Sequence, residues 1–420
     1  MEKNYNQIIL LLLSIISCGL AQGVTVIAIP WHFTGNLNLS STFSLGYAII
    51  TLLGLFWGLY AGVIIDTLNR KKILLFINLL NGIIFSFIGI TECIIQRDSI
   101  FLLLLGFTMC SFYYIIFFPN IYALAQELTH KNEYVKINSY IEIFFQITSV
   151  FAAGLCGLLF SGSDPLLKYF NSIFIQFQAW SIGEVFILTG CLYFMTFILL
   201  LFIKYNNRSI YALPNIFLTF QKLQAGIQFL LKRKNILIYG ICSQIIFAFL
   251  IVELFTLLPL FIKNCLNEGV LVFSLADVIY GFGAIIAGLI TIKILQYIDK
   301  VSFIIILIII TAYSVLAMVT FLEIHIFFLT TLLIGVSNAS ARITRMSYFF
   351  DQIPNFLIGR ANTIFNTINT IIRFILILVF SSPWFAENHN VITGYKIGIC
   401  VLILFIIPLL WQIRASFKWK

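Results

Sequence analysis

The sequence predicts an all-α polytopic membrane protein whose twelve transmembrane helices form two pseudo-symmetric six-helix bundles. Of its 420 residues, 61% are hydrophobic and 10% are charged, which is more apolar surface than a soluble domain can bury. Its apolar runs repeatedly exceed the roughly 18 residues that span a bilayer. These runs are continuous and lack the alternation of polar and apolar residues that is typical of a membrane β-barrel.

Twelve apolar runs are predicted to be transmembrane spans. The first has no small-residue cleavage pattern, so we expect a span and not a removed signal peptide. The spans divide into an N-terminal bundle over residues 1–203 and a C-terminal bundle over residues 235–420, joined by a linker at 204–234. The predicted spans are 7–29, 43–65, 73–95, 99–124, 138–161, 182–203, 235–262, 271–292, 301–321, 324–345, 361–382 and 391–413.

The linker is predicted to contain an amphipathic helix. Its polar side chains lie largely away from one apolar face, as in a helix that rests at a membrane interface. The apolar face consists of Ile216, Phe217, Phe220, Leu223, Ile227 and Leu231.

The formal charge of +9 comes from Lys and Arg residues whose distribution along the chain indicates its membrane topology. Most of the 25 Lys and Arg residues fall in alternate loops, and such residues stay on the cytoplasmic side, so both termini are predicted to be cytoplasmic in a bacterial inner membrane. The bases form no single face, so we expect no nucleic-acid partner. Eight cysteines without a Cys-x-x-Cys pattern and four scattered histidines indicate neither a disulfide framework nor a metal site, and no cofactor is expected.

An internal repeat supports two related bundles. The segment Lys136 to Ser139 opens the fifth predicted span, and the similar segment Arg360 to Thr363 opens the eleventh, 224 residues later. Asp66 and Asp299 are 233 residues apart, and each is predicted to lie in the turn after the second helix of its half. The two offsets favour a duplicated six-helix unit, as in transporters built from parallel repeats.

The segment from Gly62 to Lys72 joins two apolar runs with one acid and three adjacent bases. It resembles the loop between the second and third helices of the major facilitator superfamily, Gly-x-x-x-Asp-(Arg/Lys)-x-Gly-Arg-(Arg/Lys). Thr67 replaces a base of that pattern and Asn69 replaces a glycine, for which Asn is the best substitute in a left-handed turn. The four matching positions are Gly62, Asp66, Arg70 and Lys71.

Several other segments are similar to the branch of this superfamily that contains macrolide efflux proteins and the enterobactin exporter. The resemblance implies the major facilitator fold and a conformational latch, in which Asp66 contacts the positive N-terminal end of the eleventh span around Arg360. The alternative for Asp66 is a loop charge that only sets topology. The similar segments are 28–31, 154–157, 223–229, 258–261 and 280–284.

Small residues recur at helical spacing in the spans that this fold places between its halves. Such stripes allow helices to approach and slide, although static close packing explains them equally well. The residues are Gly54, Gly58, Gly62, Ala153, Gly157, Gly283, Ala284, Ala287 and Gly288.

Three charges, Glu253, Asp277 and Arg373, lie within predicted spans of the second half. Each costs about 2.5–3.5 kcal/mol at mid-span, so the three should pair or face a water-filled cavity. Two acids and one base leave one carboxylate unpartnered, and that acid is a candidate for proton exchange. The alternative is a structural ion pair with one acid near the outer interface.

Polar side chains in the first half are candidates to line a central cavity. Glu142 could instead cap or pair near the cytoplasmic end of its span. The fourth-span arginine and the fifth-span proline of many proton antiporters are missing, and Ala153 stands in place of the proline, so the match to standard antiporters is incomplete. The candidates are Gln22, Tyr47, Tyr113, Tyr114, Asn120, Glu142 and Gln146.

The sequence and this resemblance therefore predict a secondary active transporter that exports a siderophore or an amphiphilic drug by alternating access, coupled to protons, and the resemblance implies a monomer. Gradient coupling is inferred because the chain has no phosphate-binding Gly-x-x-x-x-Gly-Lys-(Ser/Thr) loop. Uptake of a siderophore or small polar metabolite is the alternative with the same fold. A transport-inactive receptor and a membrane-embedded enzyme are less favoured. The loops lack the paired acids or the His-Asp motif that such an enzyme would need.

Overall fold

The computed structural model describes residues 5–95, 98–129, 133–162, 178–205, 224 and 226–417, and this part of the chain is helical. The helices of the first half are α1 Tyr5–Trp31, α2 Ser40–Thr67, α3 Arg70–Ile95, α4 Ile100–Leu128, α5 Tyr134–Ser161 and α6 Ile182–Leu201. Those of the second half are α7 Lys234–Cys242, α8 Ile245–Thr256, α9 Leu258–Asn264, α10 Val270–Ile294, α11 Lys300–Phe321, α12 Ile324–Gln352, α13 Asn355–Phe380, α14 Val391–Leu404 and α15 Ile406–Phe417.

Twelve segments in the described ranges are helical, long and apolar enough to cross a membrane, which confirms the prediction of a multi-pass membrane protein. Single helices form nine of these spans. In the first span, Asn6–Asn36, α1 continues into a short π-helix over His32–Asn36. The seventh span, Lys234–Thr256, consists of α7 and α8, and the twelfth, Val391–Arg414, consists of α14 and α15.

Several span ends differ from the predictions, and those of the first, seventh and tenth spans differ by six or seven residues. The first was expected to end at residue 29 but continues to Asn36 through the π-helical turn His32–Asn36. The seventh span was expected to reach residue 262, but α8 ends at Thr256 and α9 starts at Leu258 with Pro259 in its first turn, where proline lacks an N–H to continue a helix. The tenth was expected to end at residue 345, but α12 continues to Gln352. The aliphatic part of an arginine side chain can pack along an apolar helix surface, so an arginine such as Arg345 can lie within a span and need not mark its end.

The surface of α3 shows how the spans meet lipid. Phe76, Ile83, Phe87 and Ile94 recur at helical spacing and are all more than half exposed. The opposite face is buried and contains Gly82 and Gly89, which pack against α6. A membrane helix is expected to expose apolar side chains to lipid in this way.

Glycines set the contact between α3 and α6. A methyl group added at Gly89 would lie 2.7 Å from the carbonyl oxygen of Gly183, and one added at Gly190 would lie 2.9 Å from the backbone nitrogen of Ser86. Because no side chain separates the two helices at these points, their backbones approach closely. Sequence analysis did not single out these glycines, although Gly82 and Gly89, like Gly183 and Gly190, are seven residues apart.

The chain forms two compact units. Unit 1 contains Met1–Asn38, Leu53–Pro214 and Gly269–Val278, and unit 2 contains Leu39–Leu52, Asn215–Glu268 and Ile279–Lys420. Each unit therefore takes one short segment from the other half of the sequence. The first part of α2 belongs to unit 2, and the first part of α10 belongs to unit 1.

The start of α3 corrects two predictions about the loop before it. Asn69 is absent from the described non-glycine residues with positive φ, so its backbone is not left-handed. Its side chain instead caps α3, accepting a hydrogen bond from the backbone nitrogen of Lys72 at 3.0 Å. Asp299 caps α11 in the same way, accepting from the nitrogen of Ser302 at 2.9 Å. Asp299 is therefore equivalent to Asn69 and not to Asp66, which lies in the last turn of α2.

The predicted amphipathic helix of the linker falls mostly outside the described residues, which do not include Ile216, Phe217, Phe220 or Leu223. The described part from 226 to 232 is helical, and Ile227 and Leu231 are both exposed. Gly226 packs against α13, since a methyl group added there would lie 3.1 Å from the Cβ of Arg360.

Candidate translocation site

Helix α13 carries a polar stripe inside a membrane span. The pair Asn-Thr occurs at 362, 366 and 369, at spacings of four and three residues that keep the pairs near one helical face. Asn366 and Thr367 are exposed. The threonine hydroxyls bond to carbonyls one turn back, as Thr367 does to Thr363 at 3.0 Å, but Asn366 makes no side-chain hydrogen bond within the described chain. An exposed amide is costly in lipid, so this face requires water or a polar ligand.

Arg373 extends this stripe toward the C-terminal end of α13. Its Nη2 donates a 2.9 Å hydrogen bond to the hydroxyl of Tyr47, which belongs to the α2 segment of unit 2. The buried Nε has no hydrogen-bond acceptor in the described part of the chain. The ring of Tyr47 packs edge-on against Phe255 of α8, with centroids 5.1 Å apart. Tyr47 thus connects α13 with α8.

Glu253 of α8 is buried and accepts a 2.7 Å hydrogen bond from the hydroxyl of Tyr395 on α14. Tyr395 is fully buried and packs edge-on against Phe261. Within unit 2, Glu253 and Arg373 form no ion pair in the described residues. The structural ion pair that was one interpretation of these charges is therefore not formed by this acid and this base.

Asp277 lies in the α10 segment of unit 1 and is half-buried. Within the ranges described above, its carboxyl has no hydrogen-bond or ion-pair partner. It is the third predicted intramembrane charge, and its neighbours in the sequence, Ala276 and Val278, are apolar.

Several first-half candidates for lining a cavity are buried inside unit 1 and hydrogen-bonded there. The Tyr113 hydroxyl donates to Oδ1 of Asn78 at 3.0 Å, and Gln22 donates to the Cys110 carbonyl at 3.2 Å. Asn120 is fully buried and donates to the carbonyl of Arg70 at 2.9 Å. Their polar groups are used for packing helices together, a role that the residue types alone do not distinguish from lining a cavity.

Three other candidates keep exposed or half-buried side chains in unit 1. Glu142 is exposed and accepts a 2.6 Å hydrogen bond from the hydroxyl of Tyr122, and Gln146, one turn further along α5, is half-buried. Tyr114 is 55% exposed and packs against Phe118, with ring centroids 4.3 Å apart and ring planes tilted by 45°. These side chains remain candidates for contact with a solute.

The basic segment after α2 is anchored inside unit 1. Arg70 forms a 3.0 Å ion pair with Glu127 at the end of α4 and donates to the carbonyl of Ala123 at 2.7 Å. Lys71 donates to two carbonyls at the end of α6, including that of Ile203 at 2.7 Å. Both bases thus fix the start of α3. The side chain of Asp66 is outside the described part of the chain, and a methyl group added at Gly62 would meet no atom within 4 Å.

The predicted latch partner Arg360 is not at a helix end. Helix α13 begins at Asn355, so Arg360 lies in its second turn, beyond the first turn where the positive helix end acts. The expected position of the helix start around Arg360 was therefore wrong. Arg360 is half-buried and makes no hydrogen bond or ion pair in the described chain.

A second ion pair in unit 2 matches the one in unit 1. Lys300 at the start of α11 contacts Asp351 at the end of α12 at 2.5 Å, as Arg70 of α3 contacts Glu127 of α4. Sequence analysis missed both acids. Glu127 and Asp351 are separated by 224 residues, the same offset as Lys136 and Arg360, so the repeat contained the signal.

The small-residue stripes have different environments. A methyl group at Gly157 would lie 2.6 Å from the Cβ of Ser274, both within unit 1. Gly283 was expected between the halves, but in unit 2 it packs against α12, where an added methyl group would lie 2.3 Å from the Leu332 carbonyl oxygen. The remaining members are less tightly packed or are alanines. A methyl group added at Gly54 or Gly58 would lie 3.6 Å or 3.9 Å from the Ile115 side chain, and one added at Gly288 would meet no atom within 4 Å. Ala284 is half-buried, and Ala153 and Ala287 are buried.

The family description Major Facilitator Superfamily matches residues 11–377, and the chain belongs to this family. The helical fold with twelve spans is that of its transporters. Comparison with curated proteins gave no match.

Solved structures of transporters share the fold. The nucleoside transporter NupG is 14% identical with a TM-score of 0.69, covering 99% of this chain and 100% of its own. The POT family transporter PepTSo is 12% identical with a TM-score of 0.72, covering 99% of both chains. A bacterial homologue of the iron transporter ferroportin is 14% identical with a TM-score of 0.67, covering 96% of this chain and 99% of its own.

Proposed function

We propose that this protein is a secondary active transporter that exports a small organic molecule across the bacterial inner membrane by alternating access, and that proton binding at Glu253 drives it. The observation that carries the proposal is the environment of Glu253. Its buried carboxyl is hydrogen-bonded to Tyr395 and has no basic partner in the described chain.

The chemistry of this environment favours proton coupling. A buried carboxylate without a base has a large desolvation cost, and the carboxyl can remove that cost by binding a proton. Arg373 cannot do the same, because a guanidinium retains its charge in proteins. Glu253 can therefore change its charge during the transport cycle, whereas Arg373 provides a permanent positive charge for the solute or for a carboxylate.

The polar stripe of α13 is the proposed solute path in unit 2. Asn366 offers an amide in the middle of a span, and Arg373 offers a charge one to two turns further along the same helix. The export direction and the substrate classes, a siderophore or an amphiphilic drug, rest on the resemblance of five sequence segments to macrolide and enterobactin exporters. The basic loop after α2 supports cytoplasmic termini, and Asp66 remains the proposed latch acid.

Reconstituted vesicles with an internal pH dye test the proposal. Macrolides, cationic dyes, carboxylate siderophores and catecholate siderophores would be added in turn to vesicles under a pH gradient. We expect one class to collapse the gradient with the wild type but not with a Glu253→Gln/Asp277→Asn variant. Exchange of labelled solute without any movement of protons would contradict proton coupling. Solute movement only toward the face that carries the termini would support uptake.

A further inference from the structure

The seventh span of the chain, which lies in unit 2, is interrupted where side chains of two neighbouring helices contact its backbone. Helix α7 ends at Cys242 and α8 begins at Ile245. The carbonyl of Ser243 accepts a 3.2 Å hydrogen bond from Nη1 of Arg345 on α12, and the carbonyl of Gln244 accepts one of 3.2 Å from Asn369 on α13. Interrupted spans with backbone groups held by neighbouring side chains are typical of solute sites in transporters.

This point lies well inside the membrane span. Arg345 is seven residues before the end of α12, and Ser243 is nine residues after the start of α7. At 1.5 Å per residue these separations are about 10 Å and 14 Å. A guanidinium at this depth needs compensation, but Arg345 forms no ion pair with a carboxylate in the described residues.

Two polar side chains at the interruption, Gln244 and Tyr239, have donors without an acceptor in the described chain. Nε2 of Gln244 is buried and has no hydrogen-bond partner in the described chain, and the Gln244 residue is only 4% exposed. The hydroxyl of Tyr239, one turn before Ser243 on α7, is likewise buried without a partner. Asp299 interacts electrostatically with Tyr239, but its carboxylate caps α11. Among the described residues, the interruption therefore holds one positive charge without a carboxylate partner, on Arg345, and free hydrogen-bond donors on Gln244 and Tyr239.

We infer that Arg345, Gln244 and Tyr239 form a binding site for an organic anion that carries a carboxylate or phosphate group. Such an anion would accept from the Gln244 amide and the Tyr239 hydroxyl and would neutralise the Arg345 guanidinium, whose fork of donors matches both groups. The inference names the substrate class of the transporter proposed above and rests on that proposal. Anion binding itself requires neither a gradient nor transport, so the anion site and the proposed transport function can fail separately.

The test measures the unfolding temperature of the purified full-length protein with benzoate, with phenyl phosphate and with the neutral analogue benzamide, at constant ionic strength. We expect a rise of about 1–3 °C with at least one anion at concentrations well above its Kd, and none with benzamide. The two anions distinguish a carboxylate from a phosphate ligand. Arg345→Gln should abolish the rise, Arg345→Lys should retain part of it, and Gln244→Met should reduce it.

Arg342→Gln is the matched control, because it removes the same charge from an exposed position one turn earlier on α12 and, although the two charges interact, should keep most of the rise. Absence of a rise with both anions, an equal rise with benzamide, or a full rise in Arg345→Gln would overturn the inference. If Arg345→Gln does not unfold cooperatively, a full rise in Gln244→Met would overturn it. Gradient collapse by a cation in vesicles, with no anion effect here, would overturn the inference but leave the proposed function intact.

Discussion

The hydroxyl of Tyr395 donates a 2.7 Å hydrogen bond to Oε1 of Glu253 in the buried interior of unit 2. The two residues lie on α14 and α8 and are 142 positions apart in the sequence. Because no base of the described chain pairs with Glu253, this hydrogen bond is its defined polar contact. Movement of α14 relative to α8 would therefore change the environment of the carboxyl directly.

Tyr395→Phe should destabilise the protein by about 1–3 kcal/mol, because it leaves a buried carboxyl without its donor. Thermal unfolding of the purified protein measures this effect. Tyr193→Phe is the matched control, since the Tyr193 hydroxyl is equally buried but faces the neutral side chain of Gln22 and no carboxylate, so its removal should cost less. Equal losses from both variants would argue against a structural role for the Glu253 hydrogen bond.

Helix α13 should have one wet face and one lipid face. Asn366 and Ile375 are both exposed, and nine residues place them on opposite sides of the helix. In a background without the exposed Cys191 and Cys400, Asn366→Cys should react with a charged thiol reagent far faster than Ile375→Cys. Burial raises the pKa of the native Cys265 thiol to about 11, so it should contribute little signal near neutral pH. Similar rates at both positions would contradict a polar solute path along α13.

Close helix contact at Gly283 predicts a cost for a single methyl group. Gly283→Ala should lower the free energy of unfolding by about 1–3 kcal/mol, because the new methyl group would overlap the Leu332 carbonyl oxygen. Gly288 lies on the same helix, and a methyl group added there would meet no atom within 4 Å, so Gly288→Ala should be neutral or slightly stabilising. Thermal unfolding compares the two, and tolerance of both changes would show that α10 and α12 are farther apart than described.

The two matched ion pairs should differ in strength. In the pair of Arg70 with Glu127 both side chains are about three-quarters buried, whereas Asp351 is 57% exposed. Glu127→Gln should therefore cost about 1.5–3 kcal/mol, and Asp351→Asn less than about 1 kcal/mol. Unfolding at low and high salt measures both, with the larger salt dependence expected for the exposed pair. A larger loss from Asp351→Asn would contradict this order.

The number and type of spans could be predicted from the sequence, because long apolar runs determine both. Span ends were less predictable. The tenth span was predicted to end at Arg345, whereas α12 continues beyond it, since an arginine can reach a backbone carbonyl in the interior. The internal repeat could be predicted from the sequence, but the residue that corresponds to Asp299 could not. Asp299 corresponds to Asn69 because each caps a helix, and only the structure reveals these caps.

The contacts of the candidate site could not be predicted, because they join residues far apart in sequence. Arg373 bonds to Tyr47 across 326 positions, and no pattern within either span indicates this partner. The polar stripe was present in the sequence as three Asn-Thr pairs at helical spacing in α13. Polar residues at that spacing in a span indicate a wet face as clearly as an isolated charge does.

The most direct test of the account compares net transport with exchange for Glu253→Gln. Vesicles would be loaded with the compound that the gradient screen identifies, and two rates would be measured, accumulation driven by a pH gradient and counterflow without one. If Glu253 carries the coupled proton, accumulation by Glu253→Gln should fall at least about tenfold, which corresponds to roughly 1.4 kcal/mol. Counterflow should stay close to that of the wild type. Accumulation at the wild-type rate in Glu253→Gln would contradict the central claim that this carboxyl carries the coupled proton.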